Sequence, residues 1–197
     1  RLLVLVLLGG GWAFAWQVAL GRMERGALAW AEARRAEGWQ VAHGAPQRGA
    51  LPWRPEVTLP GLSIRNPLGL GMEAGALRLA LDPRTPRHLR LHAEGELALL
   101  AGGQRTPFQA QALQGLAGLD GRDLLWNADA LVAPGLESRR LALRWREGHA
   151  QVTADATRLG AVRLDGFSLL AALENPAPTP AAFRAQGGTL RLLQAEA

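Results

Sequence analysis

Apolar and polar residues alternate along this chain in three successive patterns. Residues 2 to 20 form an uncharged run, Leu2 to Leu20, whose one polar side chain is Gln17. As a helix rising 1.5 Å per residue, a run of that length reaches about 28 Å, close to the thickness of a bilayer's hydrocarbon core. The pattern predicts a transmembrane signal anchor over residues 1–20, with Trp12 and Trp16 toward an interface. A cleaved signal peptide is the rival reading, because Ala13-Phe14-Ala15 has the small-x-small form of a cleavage site. The apolar residues that follow it, Trp16, Val18, Ala19 and Leu20, favour the anchor.

The second pattern has a helical period. Leu20, Met23, Ala27 and Trp30 recur at spacings of three and four, with Arg and Glu between them. It predicts an amphipathic linker helix over residues 21–38, with Gly38 as its left-handed C-cap. The third pattern has a period of two and fills residues 39–197. Val57 and Leu59, then Leu77, Leu79 and Leu81, then Leu89 and Leu91, then Leu141, Leu143 and Trp145 each alternate with polar residues. Turn dipeptides such as Asp82-Pro83, Gly102-Gly103, Asp120-Gly121, Pro134-Gly135 and Glu147-Gly148 separate the runs. Short strands with no helices between them predict a mainly β fold: a curled antiparallel sheet or meander, half-barrel or sandwich-like, that buries one Leu-rich face. Gly69 to Gly75 and the Pro-rich residues 175–180 read as loops. Arg1 is no natural start and the strand over Thr189 to Ala195 lacks terminal punctuation, so the chain is expected to extend beyond both ends.

Composition narrows the chemistry. With no Cys there is no disulfide framework, thiolate nucleophile or Cys-based metal site. All 22 basic residues are Arg and Tyr is absent, so the pI of 11.3 says more about Arg pKa than about the modest net charge of +5. High pI of this origin is a weak argument for nucleic acid, and none is expected as a partner. His88 and His92 have the i, i+4 spacing of a helical metal pair, but alternation with Leu89 and Leu91 makes them strand residues that flank the cation of Arg90. Gly69-Leu70-Gly71-Met72-Glu73-Ala74-Gly75 misses the dinucleotide spacing by one residue. Ser63, Ser138 and Ser168 lack a nucleophile elbow, and Asp120, Asp123 and Asp129 lack calcium-loop spacing. No enzyme and no cofactor are expected.

Two surfaces remain. Leu77, Leu79, Leu81, Leu89, Leu91, Leu141, Leu143 and Trp145 are the candidate lipid-facing apolar residues, because the sequence offers one helix, too short to cover so many Leu-lined strands. A sheet folded on itself is the ordinary alternative, and a structural or protein-interaction module of the envelope is the rival function. Arg140, Arg144 and Arg146 alternate with Leu141, Leu143 and Trp145, so they share the opposite face as a solvated strand or as a contact for anionic headgroups.

Gly38-Trp39-Gln40-Val41, the stretch from Gly49 through Pro52-Trp53 to Leu59, and Gln186-Gly187-Gly188-Thr189-Leu190-Arg191 together resemble the family known as domain of unknown function 2125, found in the envelope of Gram-negative bacteria. The resemblance implies a single-pass inner-membrane protein whose domain faces the periplasm, and it implies no known activity. Its strand-rich plan is similar, more distantly, to envelope proteins whose curled sheets hold lipid chains in an apolar groove.

Overall fold

A computed structural model describes residues 2–49, 55–67, 69–81, 85, 87–119, 123–146, 149–174 and 189–196, and describes residues 2–13, 171–174 and 189–196 through their backbone alone. Helix α1, Leu2–Ala36, is continuous, so the expected anchor and linker form one rod. Among the described residues no helix is long and apolar enough to cross a membrane. Most of the expected anchor, Arg1 and the side chains of residues 2–13, lies outside them, as does Ala13 of the cleavage motif. The cap falls where the sequence places it. Gly38 takes φ +85°, its N–H donates to the Arg35 carbonyl at 2.9 Å, and Trp39 N–H donates to the Arg34 carbonyl at 3.0 Å, the paired bonds of a Schellman stop.

One face of α1 packs on the sheet. Leu20 and Met23 are buried in the main core, with Trp16 and Ala27 against it, and Ala31 is buried one turn further on. Trp30, expected in this stripe, is 44% exposed. The contact line turns onto Ala31 instead, whose single methyl lets helix and sheet approach where an indole would hold them apart. Burial of Leu20 and Met23 contributes about 1.5–3 kcal/mol each.

Twelve strands follow among the described residues. They are β1 Gln40–Ala42, β2 Gln47–Arg48, β3 Glu56–Arg65, β4 Gly71–Leu81, β5 His88–Ala101 and β6 Gln104–Phe108, then β7 Ala112–Gly118, β8 Asp123–Ala133, β9 Leu136–Arg146, β10 His149–Leu159, β11 Val162–Glu174 and β12 Thr189–Glu196. All pairings are antiparallel, in the order β1-β3-β4-β5-β7-β8-β9-β10-β11-β12, with β2 beside β3 and β6 beside β5. The expected antiparallel meander is therefore present as one open sheet. The loop expected over Gly69 to Gly75 is shorter than the glycines suggest, because β4 already begins at Gly71, opposite Arg65. The Asn66 side chain accepts the Leu70 N–H at 2.9 Å and closes the connection. The Pro-rich residues 175–180 and the turn at Glu147-Gly148 lie outside the described residues, as do Pro52-Trp53, Gln186 to Gly188, Asp82-Pro83 and Asp120-Gly121.

The long strands are interrupted at one level. Register places Gly61 of β3 opposite Gly75 of β4, and Gly75 opposite both Gly95 and Glu96 of β5, a two-against-one bulge. Across the sheet, Ala130 of β8 and Ala156 of β10 hold φ of +48° and +44°, and both face Arg139 of β9. Between the two groups, β5 exchanges its partner from β7 to β6. On crossing this line the buried face changes phase, from Leu59 to Leu62, Leu77 to Ala74, Ala128 to Leu131 and Ala154 to Thr157. The line bends each strand and lets a sheet of eleven-residue strands wrap around one apolar side.

Two positions test this. A Cβ on Gly95, at φ +82°, would sit 3.1 Å from Gly75 Cα, whereas a Cβ on Gly102, at φ +56° in the β5–β6 turn, meets nothing within 4 Å. Gly102→Ala should cost about 1 kcal/mol of conformational strain and Gly95→Ala about 2–3 kcal/mol, since the backbones must also separate. Urea midpoints give both values; equal losses would show that the close approach contributes nothing.

Candidate functional site: the uncovered apolar face

Directly opposed residues of a sheet share a face, so the register identifies the inner one. One row runs Val57, Leu79, Leu91, Gly115, Trp126, Leu143, Val152, Leu169 from β3 to β11. Its neighbours run through Leu77, Ala93, Leu113, Ala128 and Leu141, and through Leu81, Leu89, Ala117, Leu124 and Trp145. Cover is uneven along these rows. Val57 is 0% and Leu79 7% exposed where α1 lies, but Leu143, Trp145 and Val152 are half-buried and Leu169 is 36% exposed. The helix roofs one end of a face that continues beyond it.

The eight apolar residues singled out in the sequence thus separate. Leu77 and Leu79 belong to the closed core and do not line an open surface, because they are buried in one cluster with Leu20 and Met23 of α1. Leu81, Leu89, Leu91 and Leu141 are half-buried at the margin of that core, and Leu143 and Trp145 lie outside it. Sequence reading missed Leu124, Trp126, Phe167 and Leu169. Leu124, Trp126 and Ala128 do alternate, but the adjacent Leu125 and the phase change at Ala130 hide the period. The Trp126 indole lies against Gly115, where a Cβ would approach its ring to 3.0 Å, so the glycine leaves space for a flat aromatic platform.

The outer face carries the charge. Arg140 Nε lies 3.5 Å from Asp129 Oδ1, and Arg146 Nε lies 3.4 Å from Asp123 Oδ1. Arg144 stands between Leu125 and Gln151. The three arginines do share the face opposite Leu141, Leu143 and Trp145, as their alternation requires, and two of them face a carboxylate directly across the ladder. Their outward placement separates them from anything resting on the apolar face. Elsewhere on the surface the Glu73 carboxylate, hydrogen-bonded to Arg105 Nε at 2.7 Å, holds that guanidinium above its ordinary pKa. His88, Arg90 and His92 all lie on β5, with His92 Nε2 3.8 Å from Glu94 Oε2. Among the described residues no three His, Cys, Asp or Glu side chains are grouped to hold a metal.

Among the described residues the two buried polar side chains lie at the bend. Ser138 and Thr157 are buried, their hydroxyl oxygens 3.1 Å apart, and Ser138 Oγ donates to the Arg140 carbonyl at 2.9 Å. The Ser138 hydroxyl thus satisfies a backbone carbonyl beside the phase change, and Thr157 pairs with it. The open face itself presents Leu, Val, Ala, Phe and Trp, a surface suited to hydrocarbon.

The model of a family described as "Uncharacterized protein conserved in bacteria (DUF2125)" matches residues 16–197. No curated protein and no solved structure matches the chain.

The division of the apolar residues is measurable. Leu79→Glu places an unpaired charge in the closed core and should cost more than about 3 kcal/mol, enough to unfold the domain. Leu143→Glu meets water at the open face and should cost about 1 kcal/mol. Urea unfolding followed by circular dichroism separates them, and similar losses at the two positions would mean that the face is closed throughout.

Proposed function

We propose that this chain, which belongs to the DUF2125 family of uncharacterized bacterial proteins, is a membrane-anchored, non-enzymatic envelope protein that faces the periplasm and binds lipid acyl chains on the open inner face of its sheet. One observation carries the reading: a single cross-strand row passes from full burial at Val57 to 36% exposure at Leu169. An apolar face that outruns its own cover is a feature of ligand grooves and interaction surfaces rather than of closed sandwiches. The anchor rests on the uncharged residues 2–20, and the unbroken α1 would join it rigidly to the sheet.

A structural or protein-interaction module is the second reading. Leu159 and Val162, at the β10–β11 turn, are 46% and 57% exposed and favour it, since a partner chain grips a protruding turn more readily than a lipid tail does.

Mass spectrometry of lipids that co-purify with the full chain separates the two. Wild type should carry diacyl lipid, and Leu143→Glu should reduce the yield at least about tenfold, the effect of roughly 1.4 kcal/mol, with its circular dichroism unchanged. Arg140→Ala and Arg146→Ala should retain the lipid and lose no more than about 1 kcal/mol each, as exposed ion pairs do. Wild-type protein that yields no lipid would sink the first reading and leave the second.

A further inference from the structure

A second site lies where α1 meets the edge of the sheet. Arg35, Trp39, Gln40, Val41, Ser63 and Arg65, with Ala42, surround a cavity of about 390 Å³, within the range of small-molecule sites. Register aligns Gln40 with Arg65 and Ala42 with Ser63, so β1 and β3 contribute one wall. The end of α1 and the Schellman turn contribute the other.

Its chemistry is that of an anion receptor. Arg35 is fixed by two bonds, Nε to the Val41 carbonyl at 2.9 Å and Nη1 to Glu32 Oε1 at 2.8 Å, which orient the guanidinium. The neighbouring Arg34 is held by Glu37 at 2.7 Å. Arg65 is different: it has no carboxylate partner among the described residues, and its Nε is shielded from solvent without a hydrogen-bond acceptor. Without a carboxylate partner, the Arg65 guanidinium brings its charge to the cavity wall uncompensated, and an oxyanion that enters can accept charge-assisted hydrogen bonds from it. The negative end of α1 disfavours an anion only weakly here, because the Arg34 and Arg35 carbonyls already accept the N–H groups of Trp39 and Gly38 and two arginine side chains lie at that end. The nearest acidic group across the ladder, Glu73 opposite Ser63, is engaged by Arg105.

We propose that this cavity binds a phosphate monoester, with Arg65 as its principal ligand, Arg35 and the Ser63 hydroxyl as further donors, and the Trp39 indole against the organic part. The Arg65 guanidinium, the donors of Arg35 not taken by Val41 and Glu32, and a hydroxyl suit the three terminal oxygens of a phosphate better than the two of a carboxylate.

The test uses the full chain in detergent micelles, titrated with phenyl phosphate, inorganic phosphate and benzoate at ionic strength held constant with chloride. The readout is the indole NMR signal of Trp39, assigned with Trp39→Phe. Phenyl phosphate should shift it saturably, inorganic phosphate more weakly, and benzoate least. Arg65→Gln should raise the phenyl phosphate Kd at least tenfold and Arg65→Lys should restore part of it, whereas Arg158→Gln, on the far side of the sheet, should leave it unchanged. Ser63→Ala, a smaller change at the same wall, should raise Kd severalfold and serves if Arg65→Gln fails to fold. Benzoate binding as tightly as phenyl phosphate would overturn the assignment, as would a shift reproduced by chloride or Kd values indifferent to both Arg65→Gln and Ser63→Ala.

Discussion

The whole architecture depends on a single transverse line where every long strand breaks its alternation. Strands of ten to fourteen residues, laid side by side without interruption, would form a broad twisted sheet too stiff to enclose its own apolar side. Breaking all of them at one level converts the sheet into two inclined halves that share one inner surface. The requirement explains otherwise odd choices: two glycines in van der Waals contact at Gly75 and Gly95, and two alanines in a left-handed conformation at Ala130 and Ala156. Alanine there carries a strain of about 1 kcal/mol or more. It persists because neighbouring strands on both sides enforce the same phase change.

The bend also creates an imbalance between apolar face and cover. It gathers the apolar residues of β3 to β8 into one cluster, and Leu20 and Met23 of α1 pack into that cluster. A single helix about 10 Å across can roof only two or three strands spaced 4.8 Å apart. Beyond that reach the inner residues Leu143, Trp145 and Val152 keep the same Leu, Val and Trp character but are only half-buried, and Leu169 is exposed. Covered core and open face are thus consecutive parts of one continuous surface.

How much of this was legible in the chain depends on the range of the interaction concerned. Local chemistry read directly: Gly38 as cap, the alternation that sets Arg140, Arg144 and Arg146 opposite Leu141, Leu143 and Trp145, and the turns at Gly102-Gly103 and Pro134-Gly135. The phase changes did not, because Ala130 and Ala156 carry no residue-type signal for a positive φ; only their neighbours in the sheet impose it. For the same reason Leu79 and Leu143 look equivalent in sequence and differ in burial, since what distinguishes them is a helix 60 to 120 residues away. Trp30 and Ala31 exchanged roles because packing distance, and not hydrophobicity, selects the residue at a close helix–sheet contact. The cavity at Arg65 was invisible in advance, for it joins a helix end to two strands paired across 20 residues.

An inner face made so largely of Leu and Ala raises a question of specificity, because sliding one strand by two residues keeps every leucine inward. The outer face supplies the answer. Arg140 stands directly opposite Asp129, Arg146 opposite Asp123 and Arg158 opposite Glu137. Each exposed pair contributes only about 0.2–1 kcal/mol. A two-residue slip that sets Arg140 against Asn127, however, breaks both of its ladder's pairs and restores only one, Arg144 with Asp123. The charges therefore act less as a source of stability than as a gauge of register, and they do so on the face opposite the apolar one.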